Sequence, residues 1–155
     1  MKNLLAILLL AASLNGFAQQ KELTWHTDVN KAINLSVQQE KPLFLFFTGS
    51  DWCGWCTQLQ NAVFVKSEFK TWAKKNVILV ELDFPKKKLL DPKIQQQNNA
   101  LKQQMGVRGY PTVWFVAPEV TEGKVTLNKL GSLGTSRTVT VHSWLENANR
   151  ILKSK

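Results

Sequence analysis

Two stretches built almost wholly of large apolar side chains set the frame. Leu43-Phe44-Leu45-Phe46-Phe47 has no polar residue, and Val77-Ile78-Leu79-Val80-Glu81-Leu82 has a single one. Neither alternates apolar with polar, so each reads as a strand covered on both faces. Such strands need helices above and below, and helical spacing surrounds them. Asp28 can cap a helix with Val29, Ala32, Ile33 and Val37 on one face, and Lys41-Pro42 stops it after Glu40. A second helix starts at about Cys53, with Leu59, Val63, Phe64, Phe69 and Trp72 along one face. Asp91-Pro92 reads as the cap and first residue of a glutamine-rich, largely exposed helix that ends at Gly106. A brief strand is expected near residues 23–25 and a third buried strand at 113–116. Residues 124–127 and 129–133 read as an antiparallel hairpin, and Trp144, Leu145, Ala148, Ile151 and Leu152 share one face of a last helix over 140–152. This order predicts an α/β fold. Its sheet is mixed, with parallel strands plus a C-terminal antiparallel hairpin, and helices flank both faces.

The start of the chain bears on compartment. Met1-Lys2-Asn3 is short and basic, residues 4–12 are almost wholly aliphatic, and Gly16-Phe17-Ala18 supplies small residues before Gln19. That is the order of a secretory signal peptide. The expected division is a leader over residues 1–18 and one domain over 19–155, exported to a bacterial periplasm. The apolar run is shorter than the roughly 20 residues that span a bilayer, so no stable membrane insertion is expected after cleavage; an uncleaved anchor is the alternative. The 155 residues are 44% hydrophobic and 20% charged, which excludes disordered and low-complexity classes. Two cysteines and two histidines are too few for a disulfide scaffold, or for a conventional zinc module without carboxylates. The net charge of +9 permits polyanion binding, but an exported chain rarely meets DNA and no nucleic-acid partner is expected. Lys74-Lys75 and Lys86-Lys87-Lys88 read as solvated faces.

Cys53 and Cys56 carry the chemistry. They sit where a buried strand passes into a helix, in Trp52-Cys53-Gly54-Trp55-Cys56. A thiolate at a helix start meets unpaired N–H groups and the helix dipole, which lower its pKa, and a sulfur three residues on can reach it. The pair can therefore cycle between dithiol and disulfide. Other readings stay open: a structural bridge, although so short a loop removes little unfolded-state entropy; half a metal site, although His26 and His142 are not spaced as a second pair; or inert buried thiols. Copper handling lacks an adjacent thioether, Met105 being the first methionine after the leader.

The chain resembles the thioredoxin superfamily. Asp51-Trp52-Cys53-Gly54-Trp55-Cys56 after the apolar strand carries the likeness, together with Gly106-Val107-Arg108-Gly109-Tyr110-Pro111-Thr112, similar to the family's cis-proline segment. The stretch from Thr48 to Cys56 looks most like small exported bacterial members related to DsbD C-terminal domains and DsbH-type oxidoreductases. The resemblance implies a thiol–disulfide oxidoreductase without a cofactor other than its own redox disulfide. Cys53 would be an exposed nucleophile and Cys56 the buried resolving thiol. Tyr110 and a cis Pro111 would present backbone to a substrate strand, and Trp52, Gly54 and Trp55 would line the substrate. Trp52 can equally be core, while Trp25, Trp72, Trp114 and Trp144 read as core.

Two departures stand out. The family's buried carboxylate beneath the resolving cysteine falls here on Phe46 or Phe47, so Glu81 and Asp83 are either substitutes or rim residues, with Glu81 the candidate proton acceptor. The connection between residue 82 and Pro111 is also long. Gly54-Trp55 places no cation between the cysteines, which favours reduction or interchange over oxidation, at roughly −180 to −270 mV. Exported cysteine-containing proteins would be the partners and a membrane DsbD-like protein the electron donor. No GxGxxG or P-loop is present. The alternative function is a non-catalytic binding module of the same fold.

Overall fold

The computed structural model of the protein describes residues 22–154. The expected leader and the expected new N-terminus at Gln19 lie outside the described residues. Strand β1 (Trp25–His26) is followed by α1 (Val29–Gln39), β2 (Leu43–Thr48), α2 (Gly54–Leu59) and a π-helical turn (Gln60–Phe64). Then come α3 (Ser67–Asn76), β3 (Ile78–Asp83), α4 (Pro92–Met105), β4 (Thr112–Thr121), β5 (Lys124–Leu133) and α5 (Val141–Lys153).

The five strands make one sheet in the order β1-β3-β2-β4-β5. β2 is parallel to β3 and antiparallel to β4, which pairs antiparallel with β5. The expected mixed sheet is present. All six residues of β2 are buried because helices cover both faces. Phe44 and Phe46 point into a cluster with Phe64, Phe69, Phe115 and Trp144, formed with the π turn, α3 and α5. Leu43, Leu45 and Phe47 point the other way, against Val29, Ala32 and Ile33 of α1 and Leu101 and Met105 of α4. Phe44 is the hub of the aromatic side, with ring centroids of Trp25, Phe64, Phe69, Phe115 and Trp144 all between 5.5 and 5.8 Å away.

Two expectations are corrected. The hairpin does not lie between residues 124–127 and 129–133: these form one strand, β5, and its partner is β4. The turn is Glu122-Gly123, both left-handed at φ 52° and 76°. That is the two-residue geometry whose twist matches flanking strands. The helix from Cys53 does not continue to Trp72, because its N–H bonds slip into a π turn and break at Lys66, where the backbone is extended. The glutamine-rich helix is largely exposed, as expected, and side-chain bonds fix its position. Gln97 accepts from Val29 N–H (2.9 Å) and donates to Thr27 O (2.9 Å), and the buried Asn98 donates to Asp83 O (3.0 Å). These bonds seat α4 beside the C-terminal end of β3, where the site lies.

Candidate active site

Strand β2 ends at Thr48, and the chain turns through Gly49 back into α2. Cys53 N–H and Trp52 N–H both donate to Gly49 O, at 2.9 and 3.3 Å. Gly49 is required there by close approach: a Cβ would lie 2.4 Å from the Trp52 ring. Cys53 is the N-cap of α2, and its sulfur accepts the Cys56 N–H at 3.2 Å. This places a hydrogen-bond donor on the sulfur expected to carry charge after reduction. Cys53 and Cys56 are joined as a disulfide with Cα atoms 5.3 Å apart. Cys56 is 1% exposed and Cys53 7%, so the nucleophile expected to be exposed is buried in the disulfide form, though less deeply than its partner.

Tyr110–Pro111 is a cis peptide. Trp55, Tyr110, Pro111 and Thr135 line a cleft of about 360 Å³ beside α2. Thr135 Oγ1 is buried there with no hydrogen-bond partner among the described residues. Gly54 is exposed, and a Cβ on it would meet nothing within 4 Å. Trp55 is 46% exposed. Trp52 is 40% exposed, its ring stands edge-on to Tyr110 at 5.6 Å, and its Nε1 donates to Phe84 O at 2.8 Å, so it is not a core residue. It stands at the surface beside Tyr110, held by that bond. Trp144 is buried, and Trp25, Trp72 and Trp114 pack half-buried against the clusters.

The residue under the cysteines is Phe46. It shares their cluster, whereas Phe47 lies on the opposite face. Glu81 pairs with Phe46 across β2 and β3. It borders a cavity of about 310 Å³ with Trp25, Phe46, Gln60, Phe64 and Lys70. Burial, helped by the Asp83 charge, pushes its pKa above the ordinary glutamate range. Asp83 is otherwise engaged: it accepts from Ser50 N–H (2.8 Å) and Ser50 Oγ–H (2.6 Å) and pairs with Lys88 at 3.0 Å.

Sequence reasoning missed the loop after β3. Asp51 accepts the backbone N–H groups of Lys86 (3.0 Å) and Lys87 (2.7 Å), which hold its carboxyl below the ordinary range. Lys86 Nζ sits 4.2 Å from the centroid of the Trp52 ring. The partners are 35 residues apart in sequence, so spacing carried no signal of them. Among the described residues no group of three or more His, Cys, Asp or Glu could hold a metal ion. No helix among them is long and apolar enough to cross a membrane.

A family model for the thioredoxin-like domain matches residues 29–132. The chain belongs to the thioredoxin-like domain family. Within it, this thioredoxin-like protein is 43% identical over 89 residues to the disulfide bond reductase DsbH of Chlamydia pneumoniae, a match covering 57% of the chain and 54% of the relative. It is 31% identical over 135 residues to the thioredoxin-related protein DsbJ of the same organism, covering 84% of the chain and 38% of the relative. The chain thus spans about half or less of these relatives' lengths. A solved DsbH oxidoreductase superposes with a TM-score of 0.73 at 34% identity, over 86% of this chain and 87% of that one.

Proposed function

We propose that the protein is a periplasmic thiol–disulfide oxidoreductase that reduces or interchanges disulfides of exported proteins. The observation that carries this is the Cys53–Cys56 disulfide at the start of α2, its first sulfur accepting an N–H, beside the cleft at Tyr110 and Pro111. Similarity to an oxidoreductase supports the activity, and similarity to a disulfide bond reductase supports the direction. In the dithiol form, the Cys53 thiolate attacks a substrate disulfide. A mixed disulfide forms and one substrate thiolate leaves. Cys56 then loses its proton and attacks the Cys53 sulfur, releasing the second substrate thiolate and restoring the Cys53–Cys56 disulfide. Two electrons pass to the substrate, and a membrane DsbD-like dithiol donor returns them. Trp52, Gly54 and Trp55 form the wall around the sulfurs, and the Tyr110 backbone pairs with the substrate strand. Glu81, half-buried and next to Phe46 on the cysteine face, takes the Cys56 proton in place of the missing strand carboxylate.

Trapping tests the scheme. Cys56→Ser, expressed with its native N-terminus, is expected to accumulate DTT-sensitive adducts on Cys53, while Cys53→Ser accumulates none. Wild type is expected to reduce insulin with dithiothreitol as donor. Equal adducts from both variants would refute the assigned order, and no adducts with no insulin reduction would refute the activity.

A further inference from the structure

We propose that the loop at residues 85–90, with Lys102 of α4, is a basic docking rim that selects protein substrates whose disulfide is flanked by aspartate and glutamate. The inference rests on the oxidoreductase reading and names the substrate class within it.

The loop is not a free insertion. Asp51, two residues before Cys53, holds the N–H groups of Lys86 and Lys87, and Asp83 anchors Lys88. Trp52 Nε1 donates to the carbonyl of the preceding Phe84. The lysine loop is thereby tied to the two residues that precede Cys53. Lys86 Nζ lies over the Trp52 ring, and Lys102 Nζ lies 5.1 Å from the Tyr110 ring centroid, next to the cis-proline backbone. A ring face attracts an ammonium but leaves its charge in place.

The rim carries three carboxylates, Asp51, Asp83 and Asp91, whose charges offset part of the lysines'. Asp51 faces backbone N–H groups, and Asp83 faces Ser50 and Lys88. None of the ion pairs among the described residues involves Lys86, Lys87, Lys102 or Arg108. The exposed Arg108 adds a further cation in the segment leading to Pro111. A substrate segment crossing Tyr110 therefore meets a net positive rim, because Lys86, Lys87, Lys88, Lys102 and Arg108 outnumber Asp51, Asp83 and Asp91, and exposed charges act over a Debye length, about 10 Å at moderate salt. Acidic flanks supply the missing counter-charges and speed encounter, and basic flanks are repelled.

The test uses the reduced full-chain protein and three peptides, each closed by one disulfide and identical except for Glu, Gln or Lys beside the cysteines. Oxidation of the Cys53–Cys56 dithiol is followed by stopped-flow tryptophan fluorescence. At low salt the Glu peptide is expected to react about tenfold faster than the Gln peptide, falling to about twofold in 0.5 M NaCl. Lys86→Gln/Lys87→Gln/Lys102→Gln is expected to bring the Glu/Gln rate ratio close to one, and Arg at the same three positions to preserve it. Lys74→Gln/Lys75→Gln lies beside the first residues of β3, at the other end of the sheet from the disulfide, and is expected to leave the ratio alone. Equal rates for the three peptides in wild type would overturn the proposal. So would a ratio that the triple variant does not change, or one that Lys74→Gln/Lys75→Gln lowers equally, since net charge would then be the cause. If no peptide oxidises the dithiol, the oxidoreductase reading itself falls.

Discussion

Glu81 is a carboxylate held half-buried against Trp25, Phe46 and Phe64. Burial raises its pKa above the ordinary 4.5, so the folded chain binds that proton more tightly than the unfolded chain. Stability from this group is therefore greatest below about pH 4.5 and falls as pH rises through the raised folded value. Glu81→Gln is expected to raise the melting temperature at pH 8 and to leave it little changed at pH 4, by thermal denaturation. If Glu81 accepts the Cys56 proton, the same variant resolves the Cys53 mixed disulfide more slowly; an unchanged rate would make Glu81 a rim residue. Gly49→Ala tests the seat of the Trp52 ring. Its Cβ would sit 2.4 Å from the Trp52 ring, so the ring must leave and its bond to Phe84 O is lost. A cost of about 1–3 kcal/mol is expected by denaturant titration. The need for glycine there is invisible in sequence, since it depends on where the Trp52 ring lies. The pairing of Cys53 with Cys56, by contrast, was legible from their spacing and their place at a strand–helix junction.

At the scale of elements, capping decides where helices stop. α1 ends with Glu40 in the left-handed region at φ 54°, its N–H on Val37 O and the Lys41 N–H on Ser36 O. That pair of bonds favours glycine at the left-handed residue. Glu40→Gly is expected to stabilise by about 0.5–1 kcal/mol, read as a shift of the denaturation midpoint at constant slope. The loop after β3 depends on one carboxylate. Asp51→Ala is expected to leave the amides of Lys86 and Lys87 without acceptors and to speed their hydrogen exchange at least tenfold, with exchange in β2 unchanged. α1 and α4 were legible almost to the residue because Asp28 and Asp91-Pro92 are local start signals, and α5 because its apolar face repeats at helical spacing; its Thr140 capping box emerges only in the structure. The split of the helix after Cys53 was not, because the apolar face continues through Val63, Phe64 and Phe69 while the backbone shifts to seat those rings on Phe44.

The whole molecule is a sheet between two different cores, aromatic on the cysteine side and mainly aliphatic on the other. Phe44 and Phe47 belong to opposite faces of β2, so their substitutions share few partners. Phe44→Leu and Phe47→Leu are each expected to cost about 1–2 kcal/mol, and the double variant to equal their sum within about 0.5 kcal/mol by equilibrium unfolding. Phe44→Leu with Phe64→Leu is expected to depart from additivity, since those ring centroids are 5.6 Å apart. The sequence by itself determined the α/β class, the two buried strands, the capped helices and the cysteine pair, because hydrophobic period, caps and motif spacing act over a few residues. It could not decide whether Phe46 or Phe47 lies under the cysteines. It also could not show that Glu81 stands opposite Phe46, or that the lysine loop is bound to Asp51 and Trp52. Those follow from strand register and from contacts between segments more than thirty residues apart. Such pairings exist only once the sheet has set which faces and ends meet.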